Sequence, residues 1–212
     1  LVAPGDKLGV AWGQTIYEMA ELLVSSANVT IPDVEVAQLV GSMATPYGFT
    51  AEICSAHLAQ GLGAACINLH APAIVTNVDL ARQLRAEPII KNQLAALDQC
   101  NKAVFAAGSV CANSHVVMSG IASEDDLKTY VENGASGVLC GRFVDKVGKP
   151  VKGPLDERMI GVELDKLTDL EMGLLVSVGE DKAKAMAAVM NGGYATHLVT
   201  DAETAELILA LD

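Results

Sequence analysis

A strand that runs directly into a helix, with a glycine between them, is the feature that most constrains the fold of this chain. The segment Lys7–Ala11 is apolar enough for a buried strand, and a pattern of apolar residues at every third or fourth position covers Ile16–Val24. No linker separates the two. A strand-to-helix junction of this kind brings the free backbone N–H groups and the positive end of the helix dipole to one point, which is where proteins bind phosphate.

The turn itself consists of Gly13, Gln14 and Thr15. Glycine lets a ligand approach the backbone closely, and a threonine hydroxyl adds a hydrogen bond. The common nucleotide fingerprints, Gly-x-Gly-x-x-Gly and the P-loop, are absent from this segment. Two interpretations therefore stay open: an anion site, or a glycine that only lets the strand and the helix pack closely.

Strand-like and helix-like segments alternate over almost the whole chain. The predicted strands are Lys7–Ala11, Val34–Val40, Ala64–Leu69, Lys102–Ala107, Gly137–Leu139, Met159–Val162, Leu174–Val178 and His197–Thr200. The predicted helices are Gln14–Ser25, Ala51–Gln60, Val78–Leu84, Pro88–Gln99, Glu124–Asn133, Leu164–Leu170, Asp181–Met190 and Ala202–Leu211. Such alternation is typical of a Rossmann-like α/β fold, in which a parallel sheet carries helices on both faces.

One stretch, Gly137–Val162, breaks this alternation. It contains Arg142–Pro154, which is rich in turn formers, and we predict a small hairpin lobe there. The length of 212 residues predicts a single domain, 1–212. The sequence begins with Leu1, without a methionine, shortly before a core strand. That start indicates a fragment of a longer protein, and a tag or proteolytic processing is the other explanation.

Charge and cysteine content exclude several classes of function. The net charge of −12 argues against nucleic-acid binding by this chain itself, because phosphate neutralisation needs clustered Lys and Arg. The sequence has neither an apolar run of membrane-spanning length nor a signal peptide. Its five cysteines are odd in number and lack Cys-x-x-Cys spacing, which indicates reduced, mostly buried thiols in a cytoplasmic protein. We expect no cofactor and no metal site.

Ligands of open α/β sheets bind beyond the carboxyl ends of the strands, so the residues that follow each predicted strand are the candidates. The candidate ligand-binding residues are Gly13, Gln14, Thr15, Gly41, Ser42, Gly108, Arg142, Phe143, Asp145 and Lys182. His70 also ends a strand, and it either lines the site or is a packed, hydrogen-bonded histidine.

Three charged candidates each allow two interpretations. Lys182 opposes the helix dipole in the first turn of a predicted helix, so it either pairs with a bound anion or is a solvated side chain. Arg142 either reaches the phosphate or is a surface charge. Asp145 either accepts hydrogen bonds from sugar hydroxyls or caps the turn that ends at Gly148.

Six segments, in this order, resemble the effector-binding domain of the SorC/DeoR-type sugar-binding transcriptional regulators. They are Leu8–Thr15, Leu62–Ala73, Gly137–Gly148, Leu155–Val162, Gly179–Met186 and Leu198–Ile208. The resemblance covers nearly the whole chain. It implies a fold related to sugar-phosphate isomerases and glucosamine-6-phosphate deaminases, and a cytoplasmic regulator that forms dimers or tetramers. It also implies a helix-turn-helix domain, absent from this chain, that binds operator DNA.

The resemblance further implies a ligand and roles for several residues. The ligand is a phosphorylated sugar or a similar small metabolite that modulates oligomerisation and DNA binding. Gly13, Gln14 and Thr15 would form part of the phosphate site, and Lys182 would contact the ligand. Phe143 and Asp145 match the segment that closes over the sugar.

This chain departs from the family pattern at three glycine-rich turns. Val178-Gly179 and Gly41-Ser42 replace Gly-Gly pairs, and Ala107-Gly108-Ser109 replaces Gly-Ile-Gly. These changes favour a singly phosphorylated or unphosphorylated polyol over a bisphosphate. The alternative function is a sugar-phosphate isomerase or deaminase on the same fold, with Asp145 as its general base.

Overall fold

The computed structural model describes residues 1–26 and 30–211, and its strands form two sheets within those ranges. In chain order the strands are β1 (Lys7–Val10), β2 (Glu35–Gln38), β3 (Ala65–Ile67), β4 (Lys102–Phe105), β5 (Ala107–Gly108), β6 (Ala135–Leu139), β7 (Arg142–Asp145), β8 (Met172–Val176) and β9 (His197–Val199). In this described part, six parallel strands form one sheet in the order β3-β2-β1-β4-β8-β9, and β5-β6-β7 form a smaller antiparallel sheet.

The order of the parallel sheet reverses between β1 and β4. From β1 the chain moves outward to β2 and β3, and it then returns to pair β4 with the free side of β1. In open α/β sheets the loops after two such strands diverge and leave a crevice. The topology therefore places a ligand crevice at the carboxyl ends of β1 and β4.

The helices cover both faces of this sheet. They are α1 (Gln14–Ser26), α2 (Ala51–Leu62), α3 (Val78–Ala86), α4 (Pro88–Leu97), α5 (His115–Met118), α6 (Glu124–Glu132), α7 (Ala183–Asn191) and α8 (Ala202–Leu209). Their ends follow ordinary capping rules: Thr50 accepts a hydrogen bond from the Ile53 amide at the start of α2, and Gly63 ends it in the left-handed conformation. Together the sheet and helices confirm the predicted Rossmann-like α/β fold.

The interior is built from the apolar strands and the helix faces packed on them. Strands β1, β2, β4 and β8 are buried almost throughout, as expected for parallel strands covered on both sides. The edge strands β3 and β9 are largely exposed. None of the described helices is both long and apolar enough to cross a membrane.

Gly137–Leu139 is a strand, as predicted, and it is part of β6 in the antiparallel sheet. Two sequence predictions about elements are wrong. Met159–Val162 makes only isolated bridges to Val40 and Ile74. Leu164–Leu167 is a single 3-10 turn in place of a helix. The short helix α5 was not predicted.

The predicted hairpin lobe is confirmed. Strands β6 and β7 are joined by a two-residue turn, Cys140-Gly141, in which both residues have positive φ, 51° and 79°. The chain then turns at Asp145–Lys149 and returns beside β7, where the Val151 amide donates to the Phe143 carbonyl.

The cysteines are free thiols, and the prediction that they are mostly buried is only half right. Cys54 and Cys140 are buried, whereas Cys66 is exposed and the other two are half-buried. Burial raises the pKa of the Cys140 thiol to about 12, although Arg142 opposes the shift.

An ion pair lies at the amino ends of the central strands. The Lys102 ammonium is 2.6 Å from the Asp6 carboxylate, and both side chains are about nine-tenths buried. Asn101 donates to the second carboxylate oxygen at 2.9 Å. Desolvation raises the pKa of Asp6, but the hydrogen bonds from Lys102, Ala3 and Asn101 outweigh it and lower the pKa to about 2.

Candidate ligand-binding site

A cavity of about 180 Å³ lies at the carboxyl ends of β1 and β4, where the sheet order reverses. Its walls come from five parts of the chain: the segment after β1, the segment after β4, the segment before and into α5, the turn of the β6–β7 hairpin, and the turn before α7. The lining segments are Ala11–Thr15, Ala106–Ser109, Asn113–Val116, Cys140–Gly141 and Asp181–Lys182, with Val138.

The N-terminus of α1 forms one wall. Gly13 has a φ of 147°, a conformation that side chains rarely adopt, and its carbonyl accepts the first helical hydrogen bond from Tyr17. The amides of Gln14 and Thr15 therefore precede the first intrahelical donor. The first turn contains no acidic residue. The wall thus combines free N–H groups with the positive end of the dipole, as an anion site requires.

Lys182 supplies a cation to the same cavity. A 3-10 turn, Glu180–Lys182, precedes α7, and the Lys182 amide donates to the Gly179 carbonyl at 3.0 Å. Gly179 has a φ of 118°, and its own amide donates to the Thr204 hydroxyl at 2.9 Å. Within residues 1–26 and 30–211, the ammonium of Lys182 belongs to no ion pair. Its charge is therefore available to a ligand.

Aromatic rings surround His115. The imidazole centre lies 6.1 Å from the Trp12 ring, 5.2 Å from Tyr47 and 5.4 Å from Phe49. Burial lowers the pKa of His115, the positive charge of Lys182 lowers it further, and Asp181 partly opposes the shift. The lowered pKa favours the neutral imidazole. Of these rings, Trp12 and His115 line the cavity and give a ligand an apolar surface to pack on.

The segment before α5 adds polar groups. Ser109 is buried, and its hydroxyl lies 3.0 Å from the Cys111 sulfur. Ser114 is 4% exposed, and its hydroxyl has no hydrogen-bond partner among the described residues. With Asn113 these side chains give the cavity groups that can both donate and accept hydrogen bonds.

The structure brings half of the predicted site residues to this cavity. Those that line it are Gly13, Gln14, Thr15, Gly108 and Lys182. They follow β1, β4 and β8, the three adjacent strands at the reversal point.

Gly41 and Ser42, which follow β2, lie outside the cavity lining. The Ser42 amide donates to the Ala71 carbonyl at 2.7 Å, and the Ala73 amide donates to the Ser42 carbonyl at 2.7 Å. A Cβ on Gly41 would lie 2.6 Å from the Ala71 carbonyl oxygen. The loop after β3 therefore packs directly on these residues, so the prediction that they face the ligand crevice is corrected.

Arg142 also lies away from the cavity, in the protein interior. It is 2% exposed, its Nε donates to the Val162 carbonyl at 2.8 Å, and its Nη2 donates to Glu163 at 2.5 Å. Asp156 lies 3.6 Å from its Nη1. Neither sequence interpretation is correct: Arg142 is an internal anchor that joins β7 to the segment Asp156–Glu163.

Phe143 and Asp145 are structural parts of the hairpin in this conformation. Phe143 is buried and stacks on Tyr130, with ring centres 3.9 Å apart. The Asp145 carboxylate accepts hydrogen bonds from the amides of Val147 and Lys149, at 2.9 Å each. It therefore caps the turn, which is one of the two interpretations given for it from the sequence. Neither residue lines the cavity.

His70 is hydrogen-bonded outside the cavity lining. Its amide donates to the Gln93 side chain at 3.0 Å, and its ring contacts the same side chain. The histidine is therefore hydrogen-bonded, as one interpretation stated, but it is exposed and not packed in the interior. Among the described residues, no group of three His, Cys, Asp or Glu side chains is placed to hold a metal ion.

Six aromatic or polar residues of the cavity lining are absent from the sequence-based candidates. These are Trp12, Ser109, Asn113, Ser114, His115 and Asp181. Trp12, Ser109 and Asp181 adjoin predicted site residues in the sequence, so extending each turn by one position finds them. The other three belong to an irregular segment without helical or strand periodicity, where the polar run Asn-Ser-His is the available signal.

Comparison with known proteins places the chain in a family. Residues 1–210 match the family model described as "Putative sugar-binding domain". The transcriptional regulator YjhU of Escherichia coli K12 is 37% identical over 214 residues, covering 100% of this chain and 64% of that protein. The deoxyribonucleoside regulator of Bacillus subtilis is 29% identical, covering 98% of this chain and 66% of that protein. The chain thus spans just under two thirds of the length of these relatives.

Solved structures show the same fold. The full-length sorbitol operon regulator SorC of Klebsiella pneumoniae superposes with a TM-score of 0.85 at 24% identity, covering 99% of this chain and 67% of that one. A transcriptional regulator from Streptococcus pneumoniae gives a TM-score of 0.89 at 22% identity, covering 98% and 79%. With the family match over residues 1–210, these findings show that the chain belongs to the sugar-binding domain family of the SorC/DeoR-type transcriptional regulators.

Proposed function

We propose that this domain binds a singly phosphorylated sugar, or a closely related metabolite, in the cavity at the ends of β1 and β4. The observation that carries the proposal is the meeting of two anion-binding elements in one cavity. The N-terminus of α1 offers backbone N–H groups and the Thr15 hydroxyl, and Lys182 offers a cation that is in no ion pair within the described part of the chain.

The composition of the cavity supports one phosphate and a polyol. Lys182 is the single cation among the described residues that line it, and Asp181 lies beside it, so a second phosphate would find little positive charge. The rest of the lining pairs the Trp12 and His115 rings with serine hydroxyls, which suits a ring or chain that has apolar and hydroxylated faces.

We further propose that the bound sugar acts as a signal for a transcriptional regulator in the cytoplasm. A ligand that binds two assembly states with different affinities shifts their populations. In this proposal the domain associates as dimers or tetramers, and the part of the regulator outside this chain, a helix-turn-helix domain, binds operator DNA. The net charge of −12 supports the assignment of DNA binding to another domain.

The placement of Asp145 supports a sensor over a sugar-phosphate isomerase or deaminase. Asp145, the candidate general base, is engaged by two backbone amides in the hairpin turn and does not line the cavity. Proteins similar to this chain are named as transcriptional regulators. We therefore propose that the ligand is bound without being converted.

A thermal-shift panel tests the proposal. The panel contains ribose 5-phosphate, glucose 6-phosphate, fructose 6-phosphate, glycerol 3-phosphate and the matched free sugars. A compound at about 100 times its Kd adds roughly 2.7 kcal/mol, which raises the Tm by about 5–11 °C in a domain of this size. Stabilisation by a phosphorylated compound and not by its free sugar is the expected result.

Matched lysine variants locate the phosphate. Lys182→Ala removes the cation at the cavity and is expected to weaken sugar-phosphate binding by roughly ten- to a hundredfold, the value of a hydrogen bond to a charged group. Lys184→Ala removes the same charge from an exposed position in the next turn and is expected to leave binding unchanged. Equal effects of the two changes, or stabilisation by free sugars alone, would contradict a phosphate site here.

A further inference from the structure

Ser114 differs from the other buried serines of the described chain. The hydroxyls of the other four each lie within hydrogen-bond distance of a partner: Ser55 with Ala51, Ser109 with Cys111, Ser119 with Val116, and Ser177 with Ala107. Ser114 is equally buried, at 4% exposure, yet its hydroxyl has no partner among the described residues. Buried hydroxyls are nearly always hydrogen-bonded, so this exception requires an explanation.

The location of Ser114 supplies the explanation. It lines the same cavity as the N-terminus of α1 and Lys182, although it belongs to a separate segment of the chain. The cavity is about 180 Å³, so a molecule whose phosphate sits at α1 has its remaining atoms within the same small space as Ser114. A hydroxyl of that molecule can act as donor or acceptor toward the serine, since both groups have both capacities.

We infer that Ser114 hydrogen-bonds a hydroxyl group of the bound sugar phosphate and so sets a preference for hydroxylated over deoxygenated ligands. The inference rests on the proposed function, because it takes the cavity to hold a sugar phosphate. An analogue without that hydroxyl leaves the serine unpartnered in the complex, and it is discriminated against for that reason. Inorganic phosphate, which lies only at the α1 end, is bound without the help of Ser114.

The role also predicts an unusual stability effect. Replacing a buried serine whose hydroxyl is hydrogen-bonded within the protein lowers the stability, because that hydrogen bond is lost. Ser114→Ala removes a hydroxyl that has no partner in the described chain, so the Tm of the ligand-free protein is expected to stay the same or to rise. Ser119→Ala is the matched control, since Ser119 ends the same short helix, is equally buried and donates to the Val116 carbonyl at 3.3 Å.

Calorimetric titration with deoxy analogues tests the inference. The wild type, Ser114→Ala and Ser119→Ala are each titrated with inorganic phosphate, with ribose 5-phosphate and 2-deoxyribose 5-phosphate, and with glucose 6-phosphate and its 2-, 3- and 4-deoxy forms. In the wild type we expect one deoxy form to bind about tenfold more weakly than its parent sugar. In Ser114→Ala we expect the affinity for the parent sugar phosphate to fall to that of the deoxy form. The ratio of the two Kd values then falls to about one, while the Kd for inorganic phosphate is unchanged.

The outcomes separate this inference from the proposed function. A parent-to-deoxy ratio that is the same in Ser114→Ala as in the wild type overturns the role of Ser114 and leaves the phosphate site standing. A lower Tm of ligand-free Ser114→Ala with an unchanged ratio likewise makes it a structural serine. Failure of every phosphorylated probe to bind the wild type overturns the proposed function, and the inference falls with it.

Discussion

Replacing Arg142 by methionine distinguishes an internal anchor from a ligand contact. The Arg142 side chain is 2% exposed, donates hydrogen bonds to the Val162 carbonyl and to Glu163, and lies 3.6 Å from the Asp156 carboxylate, so removing it breaks a buried ion pair. Such a change costs about 3–5 kcal/mol. The lower end applies here, because Glu163 is half exposed and Asp156 keeps hydrogen bonds from the Tyr130 hydroxyl and the Gly153 amide. We expect a loss of about 3 kcal/mol.

Thermal unfolding and urea titration measure this loss. At roughly 2–4 °C per kcal/mol for a domain of this size, the Tm of Arg142→Met falls by about 6–12 °C. Arg82→Met is the control, since Arg82 is exposed, pairs with Asp79 one helical turn away, and its loss is expected to cost less than about 0.5 kcal/mol. Below its Tm, Arg142→Met binds sugar phosphates as the wild type does. Unchanged stability with lost binding would refute the reasoning.

Three further predictions address the amino end of the sheet, its packing and its thiols. The folded-state pKa of Asp6, about 2, lies below the ordinary 3.8, so the stabilisation is complete above pH 3.8 and is lost as the pH falls toward 2. The stabilisation that is lost amounts to about 2 kcal/mol. Urea midpoints measured as a function of pH should fall over this range in the wild type and should not show this fall in Asp6→Asn. Gly173→Ala places a Cβ 2.0 Å from the Tyr194 carbonyl oxygen and should cost about 3 kcal/mol by urea unfolding, whereas a Cβ on Gly48 meets none of the described atoms within 4 Å, so Gly48→Ala should be tolerated. Iodoacetamide at pH 8, followed by mass spectrometry, should modify exposed Cys66 well before Cys140, whose burial raises its pKa to about 12, and equal rates would contradict this burial.

The parallel sheet was predictable because its strands alternate with helices and carry runs of apolar residues. The strand prediction failed for one apolar segment that is buried outside the parallel sheet. Met159–Val162 is apolar because it packs between the segments after β2 and β3, and its amides bond Ala73 and Leu39 there without joining the sheet. An apolar run reports burial, and burial alone does not say which sheet, if any, the segment joins.

Half of the predicted site residues line the cavity, and one rule found them: ligands lie beyond the carboxyl ends of parallel strands. The rule does not state which strand ends are open. Gly41 and Ser42 obey it, but the loop after β3 covers them. The rule does not find the residues from Asn113 to His115, because they do not directly follow a strand. They lie at the start of the short helix α5, several residues after β5.

A single residue, Ala106, separates the last residue of β4 from the first residue of β5. Both strands are held by ladder hydrogen bonds, one to the parallel sheet and the other to the hairpin, and Ala106 itself lines the cavity. So short a link has no slack with which to absorb a displacement. At this point, therefore, the hairpin cannot shift far relative to the parallel sheet unless ladder hydrogen bonds of β4 or β5 break.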